Sequence, residues 1–179
     1  MISKLDFTYA CKDLEEFNYF LAIEVNPSLE GLHLSETKYV GDILQKVHMF
    51  DNKGYNTPMN ATEKLKKENS VLFENSSLYR SIISSLQYVT LKRPNIAFSI
   101  NKLSQFIATP TILHWQACKR VLRYLQSRAN YGLQFFNSSY FILNAYSDAN
   151  WGSDPNDRRS TSGYCVFLGN NLVSWSSKK

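Results

Sequence analysis

The sequence predicts an α+β fold: a β-hairpin near the N-terminus, a helical middle of about four helices, and an antiparallel three-stranded sheet at the C-terminus. Residues 17–25 are rich in β-branched and aromatic side chains, and residues 31–35 alternate between apolar and polar side chains, as strands do. In residues 35–49 and 77–127, apolar side chains instead recur at helical spacing. Residues 141–179 hold three short strand-like runs, the last two of which flank a Gly-Asn-Asn turn.

The first two strands are predicted to pair as a hairpin. Asn26-Pro27-Ser28 is typical of a turn, and Glu30-Gly31 closes it. The first helix is predicted at 35–49, where Ser35 can accept hydrogen bonds from first-turn amides as the N-cap. Residues 51–75 are rich in Asn and charged side chains and are predicted to be a connecting segment.

Three more helices are indicated by their apolar stripes and by the residues at their starts. Ser76 or Ser77 is predicted to cap the second helix. Pro94 ends that helix region and can occupy the first turn of the next helix. Thr111 is predicted to cap the last helix. The three helices are expected at 77–91, 94–107 and 111–127.

The C-terminal strands are predicted at 141–148, 162–168 and 172–177, and the first of them ends in Asp148. A lone carboxylate at the end of a buried strand is costly unless it is hydrogen-bonded, paired or bound to a metal. Asp148 is therefore a candidate for chemistry. The alternative is that it only caps the following turn, which favours Asp, and the pattern leaves both open.

The composition is that of a chain able to bury a core. Of 179 residues, 44% are hydrophobic and 20% are charged, which excludes disorder by composition. Cys11, Cys118 and Cys165 are too far apart in sequence for a zinc-site or disulfide pattern. No secretory signal and no apolar run of membrane-spanning length occurs. We therefore expect an intracellular protein, cytoplasmic or nuclear, without a membrane partner.

Charge is distributed unevenly along the chain. The net charge of +5 combines a balance of −4 in residues 1–60 with +9 in residues 61–179, and no Asp or Glu occurs between Glu74 and Asp148. Basic side chains without acidic neighbours attract phosphates, so a polyanion partner is favoured over a solvated basic face with no partner. The candidate nucleic-acid-binding residues are the eight cations of this stretch: Arg80, Lys92, Arg93, Lys102, Lys119, Arg120, Arg123 and Arg128.

Several catalytic patterns are absent from the sequence. No two Asp residues are adjacent, and no glycine-rich phosphate loop occurs. His114 and Trp115 are adjacent, but without a nearby carboxylate or nucleophile packing is favoured over chemistry. Asp154 and Asp157 follow Asp148 in a segment rich in Gly, Ser, Pro and Asn, and are predicted to form turns.

Several blocks of sequence are distributed along nearly the whole chain. They are residues 12–25, Thr57-Pro58-Met59, Tyr79-Arg80-Ser81-Ile82, Arg120-Val121-Leu122-Arg123-Tyr124-Leu125, Tyr146-Ser147-Asp148-Ala149-Asn150-Trp151, residues 158–165 and Ser174-Trp175-Ser176-Ser177-Lys178-Lys179. In this order the blocks resemble the Pol polyproteins of copia-type retrotransposons. Members of that family usually carry Gly at the positions of Glu15 and Ala22.

The resemblance implies three regions. Residues 1–36 would be the palm-end hairpin of a reverse transcriptase, residues 37–130 a helical thumb/connection-like region, and residues 131–179 the truncated N-terminal part of a ribonuclease H-like domain. A ribonuclease-like sheet limited to its first three strands would leave the last strand as an exposed edge.

The resemblance also implies a metal-dependent chemistry. Ribonuclease H cleavage in the family uses two Mg²⁺ ions held by carboxylates. Asp148 matches the first of these carboxylates, and the other family carboxylates lie beyond Lys179. We therefore expect Asp148 to be a catalytic and metal residue without its partners, with little or no Mg²⁺ binding and no activity in this isolated chain.

Three hypotheses follow for the function. The chain is a fragment of a reverse transcriptase/ribonuclease H polyprotein, with an RNA–DNA hybrid or duplex and the rest of the polyprotein as partners. Alternatively, it is a non-catalytic module that grips phosphates without reading sequence. The third hypothesis is a relic of a decayed element with no selected function.

Overall fold

The computed structural model describes residues 19–50, 53–60, 65–66 and 70–179. The predicted α+β class is confirmed. One antiparallel sheet has the strand order β1-β2-β3-β4, and a second has the order β5-β6-β7. In chain order the elements are β1 (Tyr19–Phe20), β2 (Ile23–Ser28), β3 (Gly31–Ser35), α1 (Thr37–Lys46), α2 (Ser76–Val89), α3 (Pro94–Ser104), α4 (Ile112–Ser127), β4 (Leu133–Phe136), β5 (Leu143–Asn150), β6 (Thr161–Leu168) and β7 (Asn171–Lys178).

The N-terminal hairpin forms, but its turns are not where the sequence predicts them. Leu21 and Ala22 have φ angles of 47° and 61°, and the turn they form separates β1 from β2. The predicted strand 17–25 is therefore divided, and its first two residues lie outside the described part of the chain. Asn26 and Pro27 pair with β3 instead of forming the turn. Ala22 occupies a left-handed conformation that favours glycine, the residue expected there from the family resemblance.

The strand after α4 returns to the hairpin sheet. Leu133 of β4 pairs with Leu34, and Phe136 pairs with Gly31 of β3. Gly31 has a φ of 144°, and a Cβ at this position would lie 1.9 Å from the carbonyl oxygen of Phe135. Glycine is therefore required for β3 and β4 to approach. This pairing connects the two ends of the helical middle through one sheet.

Two predicted helix caps are wrong. The Ser35 hydroxyl does not cap α1 and instead donates a hydrogen bond to the Glu24 carboxylate at 3.0 Å. The cap of α2 is Asn75, not Ser76 or Ser77, because the Asn75 side chain accepts from a first-turn amide. Polar side chains near a helix start can bond several different groups, and local sequence preference does not indicate which of these side chains caps the helix.

The predicted starts of α3 and α4 are confirmed. Pro94 occupies the first turn of α3, and the Thr111 hydroxyl accepts from the backbone N–H of His114. Nδ1 of the His114 ring in turn accepts a hydrogen bond from the Thr111 amide at 3.0 Å. The ring also stacks on Phe106, with 3.8 Å between ring centroids. Burial lowers the pKa of His114. The His114 side chain thus serves capping and packing.

The hydrophobic core lies among the four helices described. Tyr79 of α2 is fully buried, and its hydroxyl donates to the Leu103 carbonyl of α3 at 2.9 Å. The buried stripes follow the predicted helical spacing, so each helix contributes one face to the same core. Fully buried members include Ile82, Ile83, Leu86, Ile96, Leu103, Val121, Leu122 and Leu125.

The C-terminal sheet is attached to the helices through β7. The Trp175 indole donates to the Thr90 carbonyl at 3.0 Å, and the Asn101 side chain donates to the Ser177 carbonyl. The last strand is thus partly covered by α3, although it remains an edge of its sheet, as predicted, because it pairs with β6 alone. The opposite edge strand, β5, has exposed side chains along its whole length.

Candidate nucleic-acid interface

Asp148 lies on β5 opposite Gly163 of β6. Because every β5 side chain is exposed, the prediction that Asp148 ends a buried strand is wrong. A solvated carboxylate needs neither a metal nor a partner to offset desolvation. In the described ranges, no group of three or more His, Cys, Asp or Glu side chains is arranged to hold a metal ion.

The two acids that follow Asp148 bind lysines. The Asp154 carboxylate is fully buried, and its Oδ2 lies 2.6 Å from Lys102 Nζ and 2.9 Å from Lys179 Nζ. Asp157 Oδ1 lies 2.9 Å from the same Lys179 ammonium. Burial by itself raises the pKa of Asp154, but hydrogen bonds from the two lysines and from Asn156 hold it well below its usual range. Carboxylates engaged in this way do not fit a two-metal centre with Asp148.

Two of the predicted nucleic-acid-binding residues are internal. Lys92 Nζ lies 3.2 Å from the Glu36 carboxylate, and the exposed fractions of these side chains are 10% and 0%. Arg93 is 2% exposed and donates to the carbonyls of Tyr131 at 2.6 Å and Arg128 at 2.9 Å. Burial raises the pKa of Glu36 although Lys92 lowers it. The cations of both residues therefore have partners inside the protein.

Lys102 is bound to Asp154. Together with Lys92 and Arg93 it makes three of the eight predicted cations that have partners inside the protein. The eight cations therefore do not form one surface. The remaining five are half-buried or exposed. Arg80 lies on α2, and Arg128 follows α4. Lys119, Arg120 and Arg123 lie on α4 at spacings of three and four residues, which makes Arg123 a surface neighbour of both others. We call Lys119, Arg120 and Arg123 the α4 basic surface.

Tyr55 lies against the α4 basic surface, a contact that the sequence does not reveal. Its ring centroid lies 4.5 Å from Cζ of Arg120 and 5.7 Å from Cζ of Arg123. Both distances are within the range of a cation–π interaction. Tyr55 belongs to the connecting segment, and no spacing pattern relates that segment to α4.

Known proteins similar to this chain include the Pol polyproteins of transposons. It is 42% identical over 178 residues to the retrovirus-related Pol polyprotein from transposon RE1 of Arabidopsis thaliana, a match that covers 99% of the chain and 12% of the polyprotein. It is 31% identical over 183 residues to the Pol polyprotein from transposon TNT 1-94 of Nicotiana tabacum, covering 97% of the chain and 14% of that protein. An uncharacterized mitochondrial protein of Arabidopsis thaliana, AtMg00810, is 38% identical over 182 residues, covering 100% of the chain and 74% of that protein.

These relatives place the chain among proteins derived from transposable elements. The chain belongs to the Pol polyprotein family of copia-type retrotransposons. It spans 12% of the length of the RE1 and RE2 polyproteins it matches. No family model and no solved structure matches it. Within the described residues, no helix combines the length and apolar character needed to cross a membrane.

Proposed function

We propose that this segment of a Pol polyprotein, derived from the reverse transcriptase and ribonuclease H regions, binds an RNA–DNA hybrid or a duplex through the α4 basic surface. One observation carries the proposal: the three neighbouring cations on α4 come from a stretch of sequence without any Asp or Glu. A cationic helix face of this kind attracts the phosphate backbone of a nucleic acid.

Contacts of this type fix position and carry no sequence information. The guanidinium groups of Arg120 and Arg123 can each donate two hydrogen bonds to one phosphate, whereas the Lys119 ammonium acts as a point charge. We therefore expect similar affinities for any sequence of hybrid or duplex.

Binding is expected to weaken when the two arginines of the α4 basic surface are removed. The double variant Arg120→Ala, Arg123→Ala should bind a fluorescent hybrid about tenfold more weakly, and the slope of log affinity against log salt should fall by about two. Fluorescence anisotropy across a salt series measures both quantities. The matched control is the double variant Arg159→Ala, Lys178→Ala, which removes the same charge from the C-terminal part of the chain, where both side chains are exposed.

The control should bind like the parent. If the α4 variant binds like the parent while the control weakens, the interface lies on the C-terminal part and not on α4. If the parent does not bind at low salt, the proposal of nucleic-acid binding is wrong.

The ribonuclease H chemistry is proposed to be incomplete in this chain. Metal-dependent cleavage needs several carboxylates around the ions, and the two carboxylates of the loop that follows β5, Asp154 and Asp157, are both paired with lysines. We expect no cleavage of an RNA–DNA hybrid with Mg²⁺ in a gel assay of the purified chain. Robust cleavage that disappears in Asp148→Asn, with the fold unchanged by circular dichroism, would show that the site is complete.

A further inference from the structure

The connecting segment approaches the end of α4 closely. A Cβ placed on Gly54 would lie 2.4 Å from Cβ of Ser127, so any other residue at this position must displace the segment or the helix. The one proton of the Ser127 hydroxyl is shared between the Tyr55 carbonyl at 3.0 Å and the Tyr124 carbonyl of α4 at 2.9 Å. Together, the glycine and this hydrogen bond fix the backbone of Tyr55 beside α4.

The position of this backbone brings the segment into contact with two arginines. The Tyr55 ring is near both guanidinium groups, at 4.5 Å from Arg120 and 5.7 Å from Arg123. Arg120 is held a second time by Thr57, because its Nη2 donates to the threonine hydroxyl at 2.8 Å and its Nε to the threonine carbonyl at 3.3 Å. Arg120 is therefore fixed from two sides, by a ring and by hydrogen bonds.

The surroundings of the Arg123 guanidinium differ from those of Arg120. Its Nε is buried and has no hydrogen-bond partner among the described residues, although its guanidinium lies near the same ring. Because the Nε is buried, a phosphate at the surface would have to be bound by the terminal nitrogens of the Arg123 guanidinium. Two like charges gathered around one aromatic ring also repel each other, and a phosphate between them would reverse that repulsion.

We infer that Tyr55, Arg120 and Arg123 form one discrete binding site for a backbone phosphate of a nucleic acid, in which Tyr55 positions the two arginines. This inference rests on the proposed function and names the part of the α4 basic surface where a phosphate is held most firmly. Free arginine side chains lose rotamer freedom on binding. Since Arg120 is already restricted by the ring and by Thr57, and Arg123 lies near the same ring, less freedom remains to be lost when the phosphate binds.

The test is a substitution that leaves every charge in place. Tyr55→Leu removes the ring, and Tyr55→Phe keeps it. We expect Tyr55→Leu to bind a fluorescent duplex about threefold more weakly than the parent, with a salt slope lower by about one, and Tyr55→Phe to match the parent. Thr57→Val, which removes the hydroxyl that holds Arg120, should weaken binding in the same direction. Thermal melting of each variant shows that the fold is retained.

The outcomes separate this inference from the proposed function. If Arg120→Ala, Arg123→Ala weakens binding while Tyr55→Leu and Thr57→Val keep the affinity and salt slope of the parent, Tyr55 does not position the arginines and only the inference fails. If the arginine double variant has no effect, the proposed function fails as well. A Tyr55→Leu protein that does not fold leaves Thr57→Val to decide, and parental binding by that variant then overturns the inference.

Discussion

Replacing Asp154 with alanine is expected to lower the free energy of unfolding by about 3 kcal/mol, because removing one partner of a buried ion pair leaves the other charge uncompensated. The Asp154 carboxylate is fully buried and contacts two ammonium groups, those of Lys102 and Lys179. It thereby ties the loop between β5 and β6 to α3 and to the residue after β7. Urea unfolding followed by circular dichroism measures the loss. Asp157→Ala is the control, since Asp157 contacts the same Lys179 from an exposed position, and should change the urea midpoint little.

The effect of Asp154 should also depend on pH. Its pKa in the folded protein lies well below the usual value, so the folded state binds the proton less tightly than the unfolded state. The stabilisation is therefore fully present above the unfolded pKa of about 4 and is lost as the pH falls through the lower folded value. Comparing the parent with Asp154→Asn, we expect a constant stability difference near neutral pH that shrinks below about pH 4. A difference that grows with falling pH would contradict this assignment.

The helices were predictable because the information that specifies them is local. Ile82 and Leu86 recur at four-residue spacing in the sequence, and both are fully buried in α2. Thr111 and Pro94 mark helix starts by their own side-chain chemistry, and both predictions hold. The β6–β7 hairpin is equally local, since Gly169, with a φ of 58°, lies in the turn that joins its strands.

The partners of the basic residues were not predictable from the stretch that contains them. The absence of Asp and Glu around Lys92 and Lys102 indicates a free positive surface, yet acids from outside the stretch reach both residues. Glu36 comes from the start of α1 to pair with Lys92, and Asp154 comes from the β5–β6 loop to pair with Lys102. Such pairs are set by tertiary packing, and sequence spacing does not carry them.

The environment of Asp148 was mispredicted for a related reason. An apolar run indicates a strand but does not indicate whether another layer covers it. Phe141 and Leu143, which made the run look buried, have 74% and 67% of their surface exposed. The carboxylate at the end of the strand is consequently solvated, and the burial that first made it a candidate for chemistry is missing.

Replacing Arg93 with alanine is expected to destabilise the fold by about 3 kcal/mol or more, without weakening nucleic-acid binding by the folded protein. Its guanidinium donates to two backbone carbonyls, of Tyr131 and Arg128, and hydrogen bonds from a charged group contribute about 1.5–3 kcal/mol each. Both carbonyls belong to the segment between α4 and β4, whereas Arg93 immediately precedes α3. The side chain therefore joins the start of α3 to the segment that leads into the hairpin sheet.

Arg120→Ala is the matched variant, because it removes the same side chain from the α4 basic surface. Arg120 makes its hydrogen bonds to Thr57 in an exposed position, so its loss should cost little stability and reduce affinity. Urea unfolding and anisotropy applied to both variants should thus give opposite results, with stability lost in Arg93→Ala and affinity lost in Arg120→Ala. If Arg93→Ala instead retains its stability and loses affinity, the guanidinium reaches the nucleic acid, and the assignment of Arg93 to the interior would have to be abandoned. The two substitutions therefore decide which cations of the acid-free stretch build the protein and which are available to a phosphate.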